Sequence, residues 1–189
     1  MIQVCFGLHD ADGHYSKFTG TTLTSIFENT CAEVTAHLLH DDTLTADNRE
    51  KFSALARRYN QHVKFHNVEK LCPAEIKFLR EELADKIKSR FSIAAFYRLL
   101  VKKFFDGKII YLDSDINVNL DINELWQQDL KDYPLAAVSE IEATSNHMLK
   151  DKFLLNAGKV RVEAYFNSGV ILFNLRGLDE RFFLTAFNF

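Results

Sequence analysis

Lys108-Ile109-Ile110-Tyr111-Leu112-Asp113-Ser114-Asp115 carries four apolar residues straight into a pair of carboxylates two positions apart. The apolar run reads as a strand buried on both faces, as in a parallel sheet. The acidic loop lies past the strand's C-terminal end, and ligands of open α/β sheets bind at that edge. Two carboxylates on a short loop can hold one divalent cation, and a hard cation held by oxygens is the usual partner of a diphosphate. By itself an Asp-x-Asp more often marks a solvated loop or a helix cap. Here Ile116-Asn117-Val118 follows, so strand-like residues flank the acids on both sides. Two like charges in that setting need a cation or hydrogen bonds to offset their repulsion.

Strand-like and helix-like segments alternate away from this point, which predicts an α/β fold with a mostly parallel central sheet flanked by helices. Strands are expected at Ile2 to Leu8, Glu33 to Leu39, His62 to His66, Leu135 to Ser139 and Ser168 to Asn174. Helices are expected at Phe18 to Asn29, at Thr45 to Tyr59 with Phe52, Leu55, Ala56 and Tyr59 as the buried stripe, and from Pro73 to Leu83. Ser92 reads as the N-cap of an apolar helix from Ile93 to Phe105, ended by Asp106-Gly107. Leu120 to Leu130 reads as a short helix carrying Trp126, and the polar stretch from Ala143 to Val160 has no clear pattern.

A length of 189 residues predicts one domain, residues 1–189, large enough to bury a core. Seventeen Phe make that core bulky, and a net charge of −3 speaks against a nucleic-acid groove. Cys5, Cys31 and Cys72 are odd in number, widely spaced and form no metal or disulfide pattern. No run of about 20 apolar residues could span a bilayer. The N-terminus lacks the basic start of a signal peptide, so a cytoplasmic setting is expected. Leu178, Phe182, Phe183, Ala186, Phe187 and Phe189 form an apolar helical face that stops abruptly, which suggests the N-terminal part of a longer polypeptide.

Three further segments carry candidate chemistry. Arg98 is the one charge in Ile93 to Leu100; it either snorkels to water or presents its forked donors to a phosphate or carboxylate. Asn167-Ser168-Gly169 precedes an apolar strand, as a tight turn or as a turn that contacts substrate through glycine's permissive backbone. His9-Asp10-Ala11-Asp12-Gly13-His14-Tyr15 follows the first strand. It reads either as an acidic turn or as a loop in which His9 and Asp10 bind a base or ribose and Tyr15 offers an aromatic face.

Taken in order, Phe96-Tyr97-Arg98-Leu99, Tyr111-Leu112-Asp113-Ser114-Asp115, Asn123-Glu124-Leu125-Trp126 and Phe166-Asn167-Ser168-Gly169-Val170-Ile171-Leu172-Phe173-Asn174-Leu175 resemble glycosyltransferase family 8. That group has the GT-A fold, a Rossmann-like nucleotide-sugar-binding architecture. It includes bacterial galactosyl- and glucosyltransferases of lipopolysaccharide and the glycogenins. The resemblance runs from residue 1 to about residue 180. It implies a retaining transfer of glucose or galactose from UDP-glucose or UDP-galactose to a glycan or lipopolysaccharide acceptor.

The resemblance also assigns roles. Asp113 and Asp115 would bind Mn2+ (or Mg2+) and, with Ser114, the diphosphate. His9, Asp10 and Tyr15 would hold uridine, with Tyr15 stacked on the base. Arg98 and Asn167 would stand beside the donor sugar, and Glu140 falls where an Asp usually contacts sugar hydroxyls. Two departures stand out: the first loop is longer than in the shortest relatives, and His9 replaces a common Asp. The family's third metal ligand, a later His that His147 does not match, and its acceptor-side residue belong past residue 189, as would any contact with a membrane surface. A UDP-sugar-binding module without transfer activity is the competing reading. An α/β domain whose acidic pair binds stray cations is a third.

Overall fold

Among the described residues, six strands form one sheet: β1 (Ile2–Leu8), β2 (Val34–His40), β3 (His62–Asn67), β4 (Lys108–Leu112), β5 (Leu135–Ser139) and β6 (Phe166–Asn174). Their order is β3-β2-β1-β4-β6-β5. The first four are mutually parallel, whereas β6 runs antiparallel to both β4 and β5. This computed structural model describes residues 1–82, 92–139, 166–179 and 181–185.

Period-two alternation sorts the strand side chains into two cores. Val4, Phe6 and Leu8 of β1, with Ile110 and Leu112 of β4, face α1 (His14–Asn29) and α2 (Ala46–Arg58). Leu23, Ile26 and Phe27 of α1 and Phe52 and Ala56 of α2 complete that layer, with Leu55 and Tyr59 partly buried against it. Cys5 of β1 and Ile109 and Tyr111 of β4 face the opposite layer. There they meet α3 (Val68–Leu71), α4 (Pro73–Glu82) and a segment from Ile93 to Leu100. The Thr45 hydroxyl caps α2 by accepting from the Asn48 amide at 3.2 Å.

Three elements differ from expectation. Ile93–Leu100 is a 3-10 helix rather than the start of an α-helix; only α5 (Val101–Phe104) is α-helical before the chain turns at Gly107, φ 119°. Ala94, Tyr97 and Leu100 are buried at a spacing of three, the period of a 3-10 helix, so this winding puts them on one face. Second, Asn167-Ser168-Gly169 lies inside β6 and forms no turn before it. Third, the short helix after the acidic loop is α6 (Ile122–Trp126), capped by the Asp121 carboxylate, which accepts from the Asn123 amide at 2.9 Å.

Part of the apolar C-terminal face is covered. Phe183, in α7 (Phe182–Thr185), is buried with its ring 5.8 Å from that of Phe78, and the Phe182 ring is 6.3 Å from that of Phe173. The segment from 143 to 160 and residues Ala186, Phe187 and Phe189 lie outside the described residues. Among the described residues, no helix is long and apolar enough to cross a membrane.

Candidate functional site

From β1 the sheet builds outward to β2 and β3; from β4 it builds the other way to β6 and β5. The β1–β4 seam is therefore a switch point, where the strands' carboxyl ends leave a crevice. A cavity of about 790 Å³ opens there, lined among others by Gly7, Tyr15, Phe96, Arg98, Asp113 and Asp115. A second groove, of about 600 Å³ between α1 and α2, contains none of the expected site residues.

Asp113 and Arg98 form the wall of this cavity. An Arg98 Nη2–H donates to Asp113 Oδ1 at 2.8 Å, Nε donates to the Ala95 carbonyl at 2.6 Å, and Nη1 donates to the Ser168 carbonyl. The guanidinium also stands 4.8 Å over the Tyr111 ring, so it packs against the core while its fork is held in one plane. Thus Arg98 does not snorkel to water; it ties the 3-10 helix to β4 and β6. Burial pushes the Asp113 carboxyl above the usual carboxylate range; Arg98 works against that shift and Asp115 adds to it. Asp115 is exposed at the mouth of the cavity.

Backbone and small residues fix the acidic loop. The Asp113 amide donates to the Gly169 carbonyl at 2.8 Å, which continues the β4–β6 ladder past its last pair. A Cβ on Gly169 would sit 2.8 Å from Asp113 Oδ2 and 3.1 Å from Asn167 Oδ1. Asn167 Oδ1 accepts from the Gly169 amide at 2.8 Å, which brings its side chain beside Asp113. Ser114 is buried, and its hydroxyl donates to the Gly7 carbonyl at 2.9 Å, so it anchors the loop to β1.

The loop after β1 divides its labour. Asp10 is 3% exposed and its carboxylate accepts from the Ser16 amide at 3.0 Å, the Ser16 hydroxyl and the Asn48 side chain at 3.0 Å. It braces the first turn of α1 against the first turn of α2, and its oxygens are taken up by those contacts. Tyr15 follows in that turn, exposed, edge-on to Phe18 at 5.9 Å and facing the cavity. His9 Nδ1 donates to Asp41 Oδ2 at 2.5 Å. Glu140 lies outside the described residues.

The sequence reading passed over Asp41 and Gly7. Asp41 directly follows β2 and so also sits on the ligand edge of the sheet, a signal that position alone could have supplied. Gly7 leaves no trace in an apolar strand pattern, yet a Cβ there would sit 2.4 Å from the Ala94 carbonyl oxygen. Its missing side chain lets the 3-10 helix close on β1. Among the described residues, no group of three or more His, Cys, Asp or Glu is placed to hold a metal; Asp113 and Asp115 offer a pair.

Comparison with known proteins agrees with this architecture. The sequence model of Glycosyl transferase family 8 matches residues 8–186. A putative glycosyltransferase of Haemophilus influenzae is 27% identical over 184 residues, covering 96% of this chain and 52% of the relative. The lipopolysaccharide 1,2-glucosyltransferase of Escherichia coli is 28% identical over 185 residues, covering 91% of this chain and 49% of its own length. The chain therefore spans about half the length of these relatives. Among solved structures, the galactosyltransferase LgtC in complex with donor and acceptor sugar analogs superposes with a TM-score of 0.68 at 22% identity, over 93% of this chain and 59% of that one.

Proposed function

The chain belongs to glycosyltransferase family 8, with its GT-A fold, and from that premise we propose that it transfers a glucose or galactose from UDP to a carbohydrate hydroxyl, such as one of lipopolysaccharide, with retention at the anomeric carbon. One observation carries this reading. The Arg98–Asp113 pair and Asp115 converge on a roomy cavity at the switch point, where a nucleotide diphosphate would enter. The named activity of the Escherichia coli relative supports a hexose and a lipopolysaccharide acceptor. A UDP-sugar donor also accords with the cytoplasmic setting expected from the sequence.

The acidic pair fits a hard cation that takes the rest of its ligands from phosphate oxygens and water. Mn2+ or Mg2+ held by Asp113 and Asp115 would act as a Lewis acid that neutralises charge on the departing diphosphate. The chain's own groups do the rest. Arg98 holds Asp113 in place through a fixed fork, and Ser114 pins the loop to β1. Tyr15 offers its ring to the uracil, Asp10 shapes the loop that receives it, and His9 faces the same base. Asn167, beside Asp113, and Glu140 would orient the hexose, and their oxygens would stabilise positive charge developing on the sugar ring.

The test is calorimetric titration of UDP into the chain with and without Mn2+. Affinity should depend on the metal, and Asp115→Ala should lower it at least about tenfold with the circular dichroism spectrum unchanged, as expected for an exposed ligand. Equal UDP affinity with and without metal, or in the variant, would overturn the metal role. Release of glucose or galactose from the matching UDP-sugar then identifies the donor, and binding without turnover would mark a binding module.

A further inference from the structure

Asp41 follows β2 directly, is 2% exposed, and has four donors around its two oxygens. The Thr43 amide donates to Oδ1 at 3.1 Å and the Thr43 hydroxyl donates to the same oxygen. His9 Nδ1 stands 2.5 Å from Oδ2. The fourth donor comes from the helical layer: Tyr97, fully buried in the 3-10 helix, donates its hydroxyl to Oδ2 at 3.1 Å from 56 positions further along the chain. Burial opposes the charge on Asp41, but the Thr43 and His9 hydrogen bonds prevail and keep its carboxyl below the usual carboxylate range. Burial and the neighbouring Asp41 push the Tyr97 hydroxyl far up, so it remains a donor. The carboxylate is thus held by its own edge of the sheet, and Tyr97 is the group that is anchored by it.

The anchored turn is the one that carries Arg98. A 3-10 helix turns once in three residues, so Ala94 and Tyr97 share a face and Arg98 leaves a third of a turn away. The Ala94 carbonyl rests on β1 at Gly7, where no Cβ fits. One turn later Tyr97 is pinned by Asp41, and the next side chain is Arg98, 12% exposed, with Nη2 donating to Asp113 Oδ1 at 2.8 Å. Phe96 and Leu99 flank the pair and are only partly buried against the core, on the wall of the cavity. The Arg98 fork is as steady as the turn beneath it. If that turn shifts, the fork shifts against β4, and Asp113 loses its fixed place relative to Asp115. Phenylalanine at 97 would still fill the core, so the bond to Asp41 is the separable part of what Tyr97 does.

We infer that Tyr97, anchored by Asp41, is a positioning residue for the diphosphate end of the donor: its hydroxyl fixes the turn from which Arg98 holds Asp113. This rests on the nucleotide reading above and extends it from the groups that line the cavity to a buried pair behind its wall. Loss of the hydroxyl should cost about five- to tenfold in metal-supported affinity, the scale of one ordinary hydrogen bond. The loss should fall on the diphosphate and spare the nucleoside.

Tyr97→Phe tests this in three readouts. Calorimetry measures UDP with Mn2+, and NMR titration measures uridine, which has no diphosphate. Tyr97→Phe should weaken UDP about five- to tenfold and leave uridine unchanged. Arg98→Lys keeps the charge and removes the fork. Because Tyr97 acts through Arg98, adding Tyr97→Phe to Arg98→Lys should weaken UDP no further. The third readout needs no ligand: in the 15N-resolved spectrum of the arginine side chains, the Arg98 Nη–H signals should be separate in wild type, as for a fork that cannot rotate, and should broaden or merge in Tyr97→Phe. Unchanged UDP affinity in Tyr97→Phe would overturn the inference. Equal losses of UDP and uridine, or losses that multiply in the double variant, would mark a purely structural residue and overturn it too. Averaged Arg98 Nη–H signals in wild type sink it even where Tyr97→Phe fails to fold. Each of these results leaves the nucleotide reading standing, whereas a wild type whose UDP affinity gains nothing from Mn2+ sinks both.

Discussion

Gly169 has no space for a side chain, although its backbone conformation is ordinary for a strand. The obstruction is the site itself: a Cβ would stand 2.8 Å from Asp113 Oδ2. Gly169→Ala should therefore damage ligand binding more than folding. The expected result is a loss of Mn2+-dependent UDP affinity of about tenfold or more, with an unfolding free energy within about 1 kcal/mol of wild type. Calorimetry and urea denaturation on the same preparation separate the two effects. The sequence pointed to this glycine for the wrong local reason. Asn167-Ser168-Gly169 has turn chemistry, but these residues are small because β6 must pass beside a carboxylate 56 positions earlier in the chain. No local pattern encodes a neighbour that far away. Asp113, Asp115 and Arg98 were legible because charged residues interrupt apolar runs, and an interruption needs a reason.

At the scale of elements, β1 and β4 were readable because burial on both faces demands continuous apolar runs, and the edge strand β3 because Val63 and Phe65 alternate with exposed residues. The 3-10 winding of Ile93–Leu100 was not, since Ile93, Ala94, Tyr97 and Leu100 also trace an acceptable α-helical stripe. What selects the tighter helix is its fit against Gly7. Gly7→Ala would force the Ala94 carbonyl, 2.4 Å from the new methyl, to retreat. Overpacking of this kind costs about 1–3 kcal/mol and should appear as a lower urea midpoint. β2 and β3 carry a second, pH-dependent feature. His37 Nε2 pairs with Gln3 Oε1 at 2.7 Å and Nδ1 with His66 Nε2 at 2.9 Å, beneath Phe105. Burial, reinforced by His66 and Lys64, pushes His37 down to about 3, and burial lowers His66 as well. The neutral ring is thus favoured in the folded state, and acid charges the unfolded chain first. Stability from His37 is complete above the ordinary value of 6.5 and drains away as pH falls from there towards about 3. The slope is at most about 1.4 kcal/mol per pH unit. Urea unfolding at pH 7.5, 6 and 5 should show this acid limb, and His37→Gln should flatten it.

Across the whole molecule, the acidic loop is held from both layers that cover the sheet. From one side, Arg98 of the 3-10 helix grips Asp113. From the other, the Thr22 hydroxyl of α1, fully buried, lies 2.9 Å from the Ser114 carbonyl and 2.7 Å from the Ile116 carbonyl. Asn29 of α1 adds a bond to the Val118 carbonyl at 2.9 Å, and the Ser25 hydroxyl accepts from the Val118 amide at 3.0 Å. The segment 114–118 therefore lies along α1 over about two turns of the helix, in place of a regular strand, and its backbone groups find partners on the side chains of Thr22, Ser25 and Asn29. This explains why Thr22 and Ser25 are buried polar residues beside Leu23, Ile26 and Phe27 on the inward face of the same helix. A polar stripe of that kind looks like solvent-facing surface in sequence, and only the packing of a distant loop accounts for it. Thr22→Val keeps the volume and removes the one hydroxyl donor that the buried Ser114 carbonyl and the part-buried Ile116 carbonyl share. The expected cost is about 1–3 kcal/mol in urea denaturation. If α1 is one jaw of the clamp, the variant should also weaken Mn2+-dependent UDP binding, because Asp115 sits between the two tethered carbonyls. Ligand then stabilises the fold by mass action, about 2.7 kcal/mol at one hundred times the dissociation constant. At a fixed UDP and Mn2+ concentration, that gain in melting temperature should be smaller for Thr22→Val than for wild type. An equal gain would mean that the helix supports the loop's stability without setting the geometry of its carboxylates.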